Sequence, residues 1–290
     1  MRHLDGLAMS WYTDSFPLGV VRHSAPPSGE WHTHAYTELA IILAGQGIHE
    51  TPLVEYPIAA GDIFRVAREQ PHRNRDDEQL AIAHIIYDAE KLPLPYRYLG
   101  KDPGYQALIT VEPLQRARHG LLRHLRVSKP ELTQVVDILD KLEEELARQS
   151  PGYEAAALAQ FIALLVYLAR AYQQQVSVSA PNILRIGKVL ALLETNCTRQ
   201  FTITELAEVA KLSRGHFMRI FTETMGLPPM AYVAQLRMNK ARDLLSSTLL
   251  PITAVATRVG YHDGNFFTRQ FKKTCHCTPY QYRHGIEGVL

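Results

Sequence analysis

The sequence predicts an α+β chain: a β-rich N-terminal part backed by two long helices, followed by an all-α C-terminal domain. Three observations carry this. Short apolar or alternating runs, broken by Gly and Pro, fill residues 1–98. Two stretches with helical periodicity follow within 99–172. One helical pattern is then written twice between Ile203 and Arg283. The 290 residues suit two domains, each with its own core. A hydrophobic content of 46% with 21% charged residues excludes a disordered chain. The net charge of +2 hides an asymmetry. Residues 182–290 hold 14 Lys/Arg against 7 Asp/Glu, a net +7, and residues 1–181 hold 17 against 22, a net −5. A basic C-terminal domain on an acidic partner fits a nucleic-acid reader with a separate part that does not touch DNA.

Taken in order, Leu18–Val21, Leu39–Leu43, Ile63–Val66 and Leu80–Tyr87 read as strands. They are punctuated by Pro26-Pro27-Ser28-Gly29, Gly45-Gln46-Gly47, Gly61-Asp62 and Asn74–Glu78. Gly45 and Gly47 suit a hairpin, and Pro57–Gly61 the next corner. Many short strands at this spacing form a sandwich or small barrel. The run His32-x-His34, then Glu38, then His72 after Pro71 lies within it. Residues two apart on a strand share a face, so His32 and His34 can converge.

This layout resembles the cupin barrel, and the resemblance implies inward-pointing His32, His34, Glu38 and His72. Three roles stay open for the set: ligands of a divalent metal (Zn, Ni, Mn or Fe), lining for a small effector, or structural histidines. Arg65, Arg68, Arg73 and Arg75 form a solvated rim or supply one contact to a hydroxyl-rich or anionic effector. Trp31 and Tyr36 pack in the core or against a sugar ring.

Residues 99–172 form a helical extension. Glu131–Arg148 carries Leu132, Val135, Val136, Leu139, Leu142 and Leu146 on one stripe. Tyr153–Tyr172 is apolar almost all round and must be buried. These helices pack against the barrel of their own subunit, offer a contact to a second copy, or do both, the first helix being the one placed for such a contact. The longest apolar run, Phe161–Ala169, is too short to span a bilayer. Residues 173–181, polar and aperiodic, read as a flexible linker. Asp5 and Asp14 interrupt the N-terminus, so no signal peptide is expected. Cys197, Cys275 and Cys277 do not make a secreted disulfide framework. The chain is expected in the cytoplasm.

The domain from 182 to 290 holds the repeat. Its copies are about 203–224 and 252–274, each two short helices joined by a tight turn. Thr202 or Thr204 caps the first helix of copy one, Leu212 enters the core, and Ser213 caps the second helix. Phe217, Ile220 and Phe221 face inward, as do Phe267 and Phe271 in copy two. Arg214, Gly215, Met218, Arg219 and Thr222 then face outward, as do Gly264, Asn265, Thr268, Arg269 and Lys272. Each copy is a helix-turn-helix offering a basic face to a major groove. Arg219 and Arg269 are the base-edge candidates and Asn265 reads adenine. Arg214, Lys240, Lys272 and Lys273 hold phosphates.

The shared Phe-x-Arg-x-Phe frame and the closing run Phe271-Lys272-Lys273, Thr278-Pro279, Tyr282-Arg283 resemble the AraC/XylS family of transcription regulators. His276 stands where that family usually has Gly. The resemblance implies an activator acting on double-stranded DNA and RNA polymerase, as a homodimer, under a small-molecule effector. The layout from His32 to Glu38, with the tail Gly285-Ile286-Glu287-Gly288, resembles the rhamnose-operon activators of that family, which implies a sugar. Two other readings compete: a metal-dependent cupin enzyme with a DNA-binding appendage, using His32, His34, Glu38 and His72, and an effector-independent dimeric regulator. No acid–base pair beyond those four residues is evident, so no catalytic residue is assigned.

A domain of net +7 releases counterions when it meets phosphates. Its DNA affinity should therefore fall steeply between about 50 and 200 mM salt, and a flat binding isotherm series would contradict DNA binding.

Overall fold

The computed structural model describes residues 2–3, 13, 15–23, 29–119, 124–179 and 181–285. Its contacts divide the chain into two units, Met1–Gly187 and Lys188–Leu290. The strands of the first unit are β1 (Arg2–His3), β2 (Leu18–His23), β3 (His32–Thr33), β4 (Thr37–Glu50), β5 (Glu55–Ala59), β6 (Asp62–Val66), β7 (Arg73–Tyr87) and β8 (Leu125–Arg126). The larger sheet runs β2-β7-β4-β6-β8 with β5 also on β4, every pair antiparallel. β1 and β3 pair separately in parallel.

β4 is the spine of this sheet. Thr37, Leu39 and Ile41 are buried on one face, and Glu38, Ala40 and Ile42 on the other. That two-sided burial explains the unbroken apolar run from Leu39 to Leu43. Register shifts against β7 fall between Ile42 and Gly47, where bulges bend the strand. The hairpin expected at Gly45-Gln46-Gly47 is therefore not one: the strand passes straight through. A Cβ on Gly47 would collide with the Arg75 carbonyl, so glycine is needed for close strand approach. Asn74–Glu78, read as a break, lies inside β7. Pro57 sits in β5, which among the described residues pairs with β4 alone, and an edge position spares its missing N–H. The corner falls at Gly61 (φ +94°).

Asp62 pins that corner. It is fully buried, and its oxygens accept from Arg126 (2.5 and 2.6 Å) and from the Ala59 N–H (2.8 Å). His124 Nε2 lies 3.1 Å away. Burial opposes the charge, but these partners outweigh it and hold the carboxyl at about 2, below its ordinary 3.8.

The helices are α1 (Tyr96–Leu99), α2 (Pro103–Tyr105) running into a π-helical stretch (Gln106–Val111), α3 (Glu112–His119), α4 (Lys129–Arg148), α5 (Tyr153–Ser179) and α6 (Pro181–Asn196). Glu131 starts α4 by accepting from the Ser128 N–H and hydroxyl, both at 2.7 Å. Val135, Leu139, Leu142 and Leu146 of α4 are buried, while Leu132 and Val136 are only partly covered. Glu143 and Asp140 of α4 pair with Arg22 of β2, the former at 2.9 Å.

α5 buries Phe161, Leu164, Leu165, Leu168 and Tyr172, yet Ala155, Ala159 and Ala163 are exposed. The expected all-round burial thus holds for one side. By length and composition alone, Tyr153–Ser177 could cross a membrane, so counting only Phe161–Ala169 understated it. Residues 173–179 are helical, not an irregular linker. Tyr172 and Val176 continue the buried stripe, and Gln175 bonds the His124 carbonyl (3.0 Å) and the Arg126 N–H (2.9 Å). Ala180 lies outside the described residues. The division between the two units falls inside α6: a Cβ on Gly187 would come within 2.6 Å of the Pro103 carbonyl, so the start of α6 packs on α2.

The second unit continues with α7 (Ile203–Ala210), α8 (Arg214–Met225), α9 (Pro229–Ser247), α10 (Ile252–Arg258), α11 (Gly264–Cys275) and α12 (Pro279–Arg283). Met238, Ala241, Leu245, Val255, Val259, Phe267 and Phe271 form one core around α9, α10 and α11. Leu206, Ala207, Phe217, Ile220 and Phe221 are buried in copy one. α9, at 19 residues, is about 28 Å long.

The folded Asp62 carboxyl titrates below its unfolded value. Its stabilisation is therefore complete above about pH 4 and is lost as pH falls towards 2. Arg126 is largely exposed, so after screening the effect should be about 1–2 kcal/mol. Asp62→Asn should destabilise the first unit by that amount at pH 7 and flatten this part of its acid-unfolding curve, measured by urea titration across pH.

Candidate functional site

The inner face of β4 carries Glu38, Ala40 and Ile42, and register places His84 and Ile82 of β7 beside them. Glu38 is the hub. Its Oε1 accepts from His84 Nδ1 at 2.7 Å. Its Oε2 faces His34 Nε2 at 3.0 Å and His72 Nε2 at 3.9 Å. The first approach is the closer of the two, a buried contact within hydrogen-bonding distance. Ligand atoms of His34, Glu38 and His72 all lie within 4.8 Å of one another, and the three side chains are buried.

Backbone carbonyls orient the rings. His34 Nδ1 meets the Tyr36 carbonyl (2.8 Å), and His72 Nδ1 the Gln70 carbonyl (3.0 Å). A carbonyl only accepts, so each Nδ1 carries the proton and each Nε2 of a neutral ring presents its lone pair. His32 Nδ1 meets the Glu30 carbonyl in the same way (3.0 Å). His32 and His72 also form a backbone bridge, with rings 4.2 Å apart. His32 is only partly buried and is not among the three whose ligand atoms converge, so the expected quartet is a trio with a neighbour.

Burial pushes the Glu38 carboxyl up, yet His84, His34 and His72 pull it well below the usual carboxylate range. Burial, with His32 and His34 nearby, lowers His72 to about 4 despite Glu38. Burial also works against charge on His34, but Glu38 outweighs it and raises that ring. His49, buried near His72 and Arg116, is depressed well below its ordinary value. At neutral pH the site therefore holds one carboxylate and neutral rings at His72 and His49. It can bind a cation or oxygen-rich groups. The donor set of two imidazoles and a carboxylate, with Nδ1–H groups already tied to carbonyls, fits a divalent metal.

Sequence reasoning missed His49, His84 and Asn74. His49 Nδ1 lies 2.7 Å from the Asn74 side-chain oxygen, and both are buried. His84 follows only from the β4–β7 register, which sets it opposite Ala40 on the Glu38 face. Sequence reasoning also missed the clamp of Arg116, which bonds Glu112 (3.0 Å), the Tyr56 hydroxyl (2.5 Å) and the Arg65 carbonyl (2.5 Å). Tyr36 stacks on His34 at 4.3 Å. Of the four rim arginines, Arg73 and Arg75 both pair with Glu50, and Arg73 also lies over Trp31 at 5.0 Å. Arg65 donates to the Ile109 carbonyl (3.3 Å), and Arg68 is exposed.

In the second unit the two copies share one geometry. Phe217 and Phe221 rings are 5.6 Å apart, and Phe267 and Phe271 rings 5.8 Å. Thr202 accepts from the Glu205 N–H (3.2 Å) and Ser213 from the His216 N–H (3.4 Å). Asp263 caps α11 through the Asn265 and Phe266 N–H groups (2.7 and 3.1 Å). Arg214, Gly215, Arg219, Asn265, Arg269, Lys272, Lys273 and Lys240 are exposed. Met218, Thr222, Gly264 and Thr268 are only partly so, and the Thr268 hydroxyl is turned back to the Gly264 carbonyl (2.8 Å). Arg219 pairs with Glu223 one turn on (3.1 Å), and Arg269 lies over Phe266 (5.9 Å).

A family profile described as a helix-turn-helix domain matches residues 206–285. A second, described as an AraC-like ligand binding domain, matches residues 18–165, half of the chain. The chain belongs to the AraC family. This AraC-family protein is a DNA-binding transcription regulator with an effector-binding domain. The HTH-type transcriptional activator RhaR of Mannheimia succiniciproducens is 26% identical over 271 residues, 93% of each chain. The activator of the same name from Escherichia coli K12 is 27% identical over 256 residues, 87% of this chain and 86% of that one. The C-terminal domain of the response regulator yesN from Fusobacterium nucleatum is 38% identical, covering 33% of this chain and 93% of that one, with a TM-score of 0.32.

His276, the departure from the family, ends α11 at φ +59°. A side chain there carries left-handed strain that glycine avoids. His276→Gly should stabilise the second unit by about 1 kcal/mol, read as a raised thermal midpoint with DNA affinity unchanged.

Proposed function

We propose that this AraC-family regulator activates transcription in the cytoplasm as a homodimer that recruits RNA polymerase when a sugar occupies its N-terminal sheet domain. The observation that carries this reading is the pairing, in one chain, of a domain with two helix-turn-helix copies and an AraC-like ligand-binding domain. Relatives named as transcriptional activators match over 87–93% of its length. The sugar meets partly exposed His32 and the Trp31–Arg73 pair, with His34, Glu38 and His72 behind them. Rhamnose is the first compound to test, given the resemblance in this region. Subunits meet through the α4–α5 pair, whose outer surface includes partly covered Leu132 and Val136 and exposed Ala159 and Ala163.

On the DNA side, Arg219 and Arg269 read base edges and Asn265 an adenine. Arg214, Lys240, Lys272 and Lys273 grip phosphates, and Gly215, Met218, Thr222, Gly264 and Thr268 line the groove. Arg219 must exchange Glu223 for a base, an exposed pair worth only about 0.3–0.5 kcal/mol. The two helices, joined by α9, meet successive major grooves about one DNA turn apart.

A binding-site selection tests the assignment. Arg219→Ala and Arg269→Ala should each cost about 1–3 kcal/mol and relax preference at one position, the two positions a helical turn apart. Lys272→Ala should weaken all sequences alike and reduce the salt slope by about one. Unchanged base preferences in both Arg variants would move specificity to DNA shape. Induction of a reporter across a sugar panel tests the effector, and no response in wild type would remove it.

A further inference from the structure

We propose that Phe266 determines specificity in copy two: its ring meets the C5-methyl group of a thymine, next to the guanine that Arg269 reads. The proposal deepens the DNA-reading role given above and rests on it for the entry of α11 into a major groove. Phe266 is the third residue of α11. The N-terminal residues of a recognition helix are the ones that reach base edges. The Asp263 carboxylate fixes that turn, accepting from the Asn265 and Phe266 N–H groups (2.7 and 3.1 Å). The next residue, Phe267, is fully buried, which sets the rotation of α11 and turns Phe266 outward, 44% exposed.

A single exposed aromatic ring is ordinary, but this one is held in place. Tyr261, itself buried, flanks it with ring centroids 6.0 Å apart. On the same helical face the Arg269 guanidinium carbon lies 5.9 Å from the ring centroid. Ring and guanidinium therefore enter the groove together. The thymine methyl is the one apolar group that base edges present there, and Phe contacts it, while Arg pairs with guanine O6 and N7. A spacing of 5.9 Å, against a rise of about 3.4 Å per base pair, puts the two groups on neighbouring pairs. Covering the ring also removes apolar surface from water, a gain that a phosphate contact would not bring. Copy one is built differently: aligning Phe217 with Phe267 puts exposed His216 at the corresponding place. Copy two therefore asks for a thymine methyl through a position that copy one leaves polar.

The test uses the full-length protein at fixed salt and the half-site, selected from random DNA, whose guanine preference is lost in Arg269→Ala. Each thymine of that half-site is replaced in turn by deoxyuridine, which keeps the base pair and removes only the methyl group. Wild type should lose about fourfold in affinity at the thymine beside the guanine, the effect of burying one methyl group. Phe266→Ala should bind the thymine and deoxyuridine forms alike and lose the thymine preference in selection, with the copy-one half-site unchanged. Phe266→His, which installs the residue copy one carries, should do the same and keeps the test open if alanine harms the fold, judged by the thermal midpoint. No thymine beside that guanine, a wild type indifferent to deoxyuridine, or a folded variant that still discriminates overturns the proposal. If the Arg269-dependent guanine remains in these cases, only the role of Phe266 falls. If wild type selects no such guanine, the groove assignment of α11 falls and this inference with it.

Discussion

A carboxylate taken out of water must be met by donors or cations, and Glu38 imposes that demand on the whole first unit. It sits on β4, the strand that pairs with β5, β6 and β7. Meeting its two oxygens draws His84 from β7, His34 from the segment after β3 and His72 from the segment before β7. Those segments are themselves tied by the His32–His72 bridge. The polar centre thus joins four pieces of chain that hydrophobic burial alone would leave free to slide. Around it, Ala40, Ile42, Phe64, Val66, Leu80 and Ile82 exclude water, which strengthens every one of these contacts.

The repeat was the most legible part of the chain, because its signal is local. Two Phe residues four apart, a cap and a turn fix a helix's rotation without help from distant residues. The β region was legible in kind but not in extent. Gly45 and Gly47 look like turn residues, yet they serve strand crossing, a tertiary need that no local window contains. Residues 173–179 were misread because Gln and Ser hid a buried stripe of Tyr172 and Val176. The quartet of His and Glu was found by spacing. Its reduction to three, and the recruitment of His84, depended on which face each strand turns inward. The tail Ile286–Gly288, part of one resemblance, lies outside the described residues.

The two helix-turn-helix copies are alike inside and unlike outside. Their phenylalanine pairs repeat to within a few tenths of an ångström, whereas the faces that meet solvent have diverged. Copy one places Glu223 beside its arginine; copy two places Phe266 there and adds Lys272 and Lys273. Packing fixes the frame, and the exposed positions are left to define what is recognised.

Arg237 of α9 donates to the Cys197 and Arg199 carbonyls (2.7 and 2.9 Å) and lies over the Tyr261 ring (5.5 Å). Nearby, a Cβ on Gly260 would come within 2.5 Å of the Thr198 carbonyl. The turn of copy two is therefore seated on the segment that leads into copy one. The exposed residues of the second helix of either copy take no part in this seating, so one copy cannot be traded for the other by changing them alone. The duplicated halves are locked as a unique pair, and the positions that bar their exchange lie away from both recognition helices.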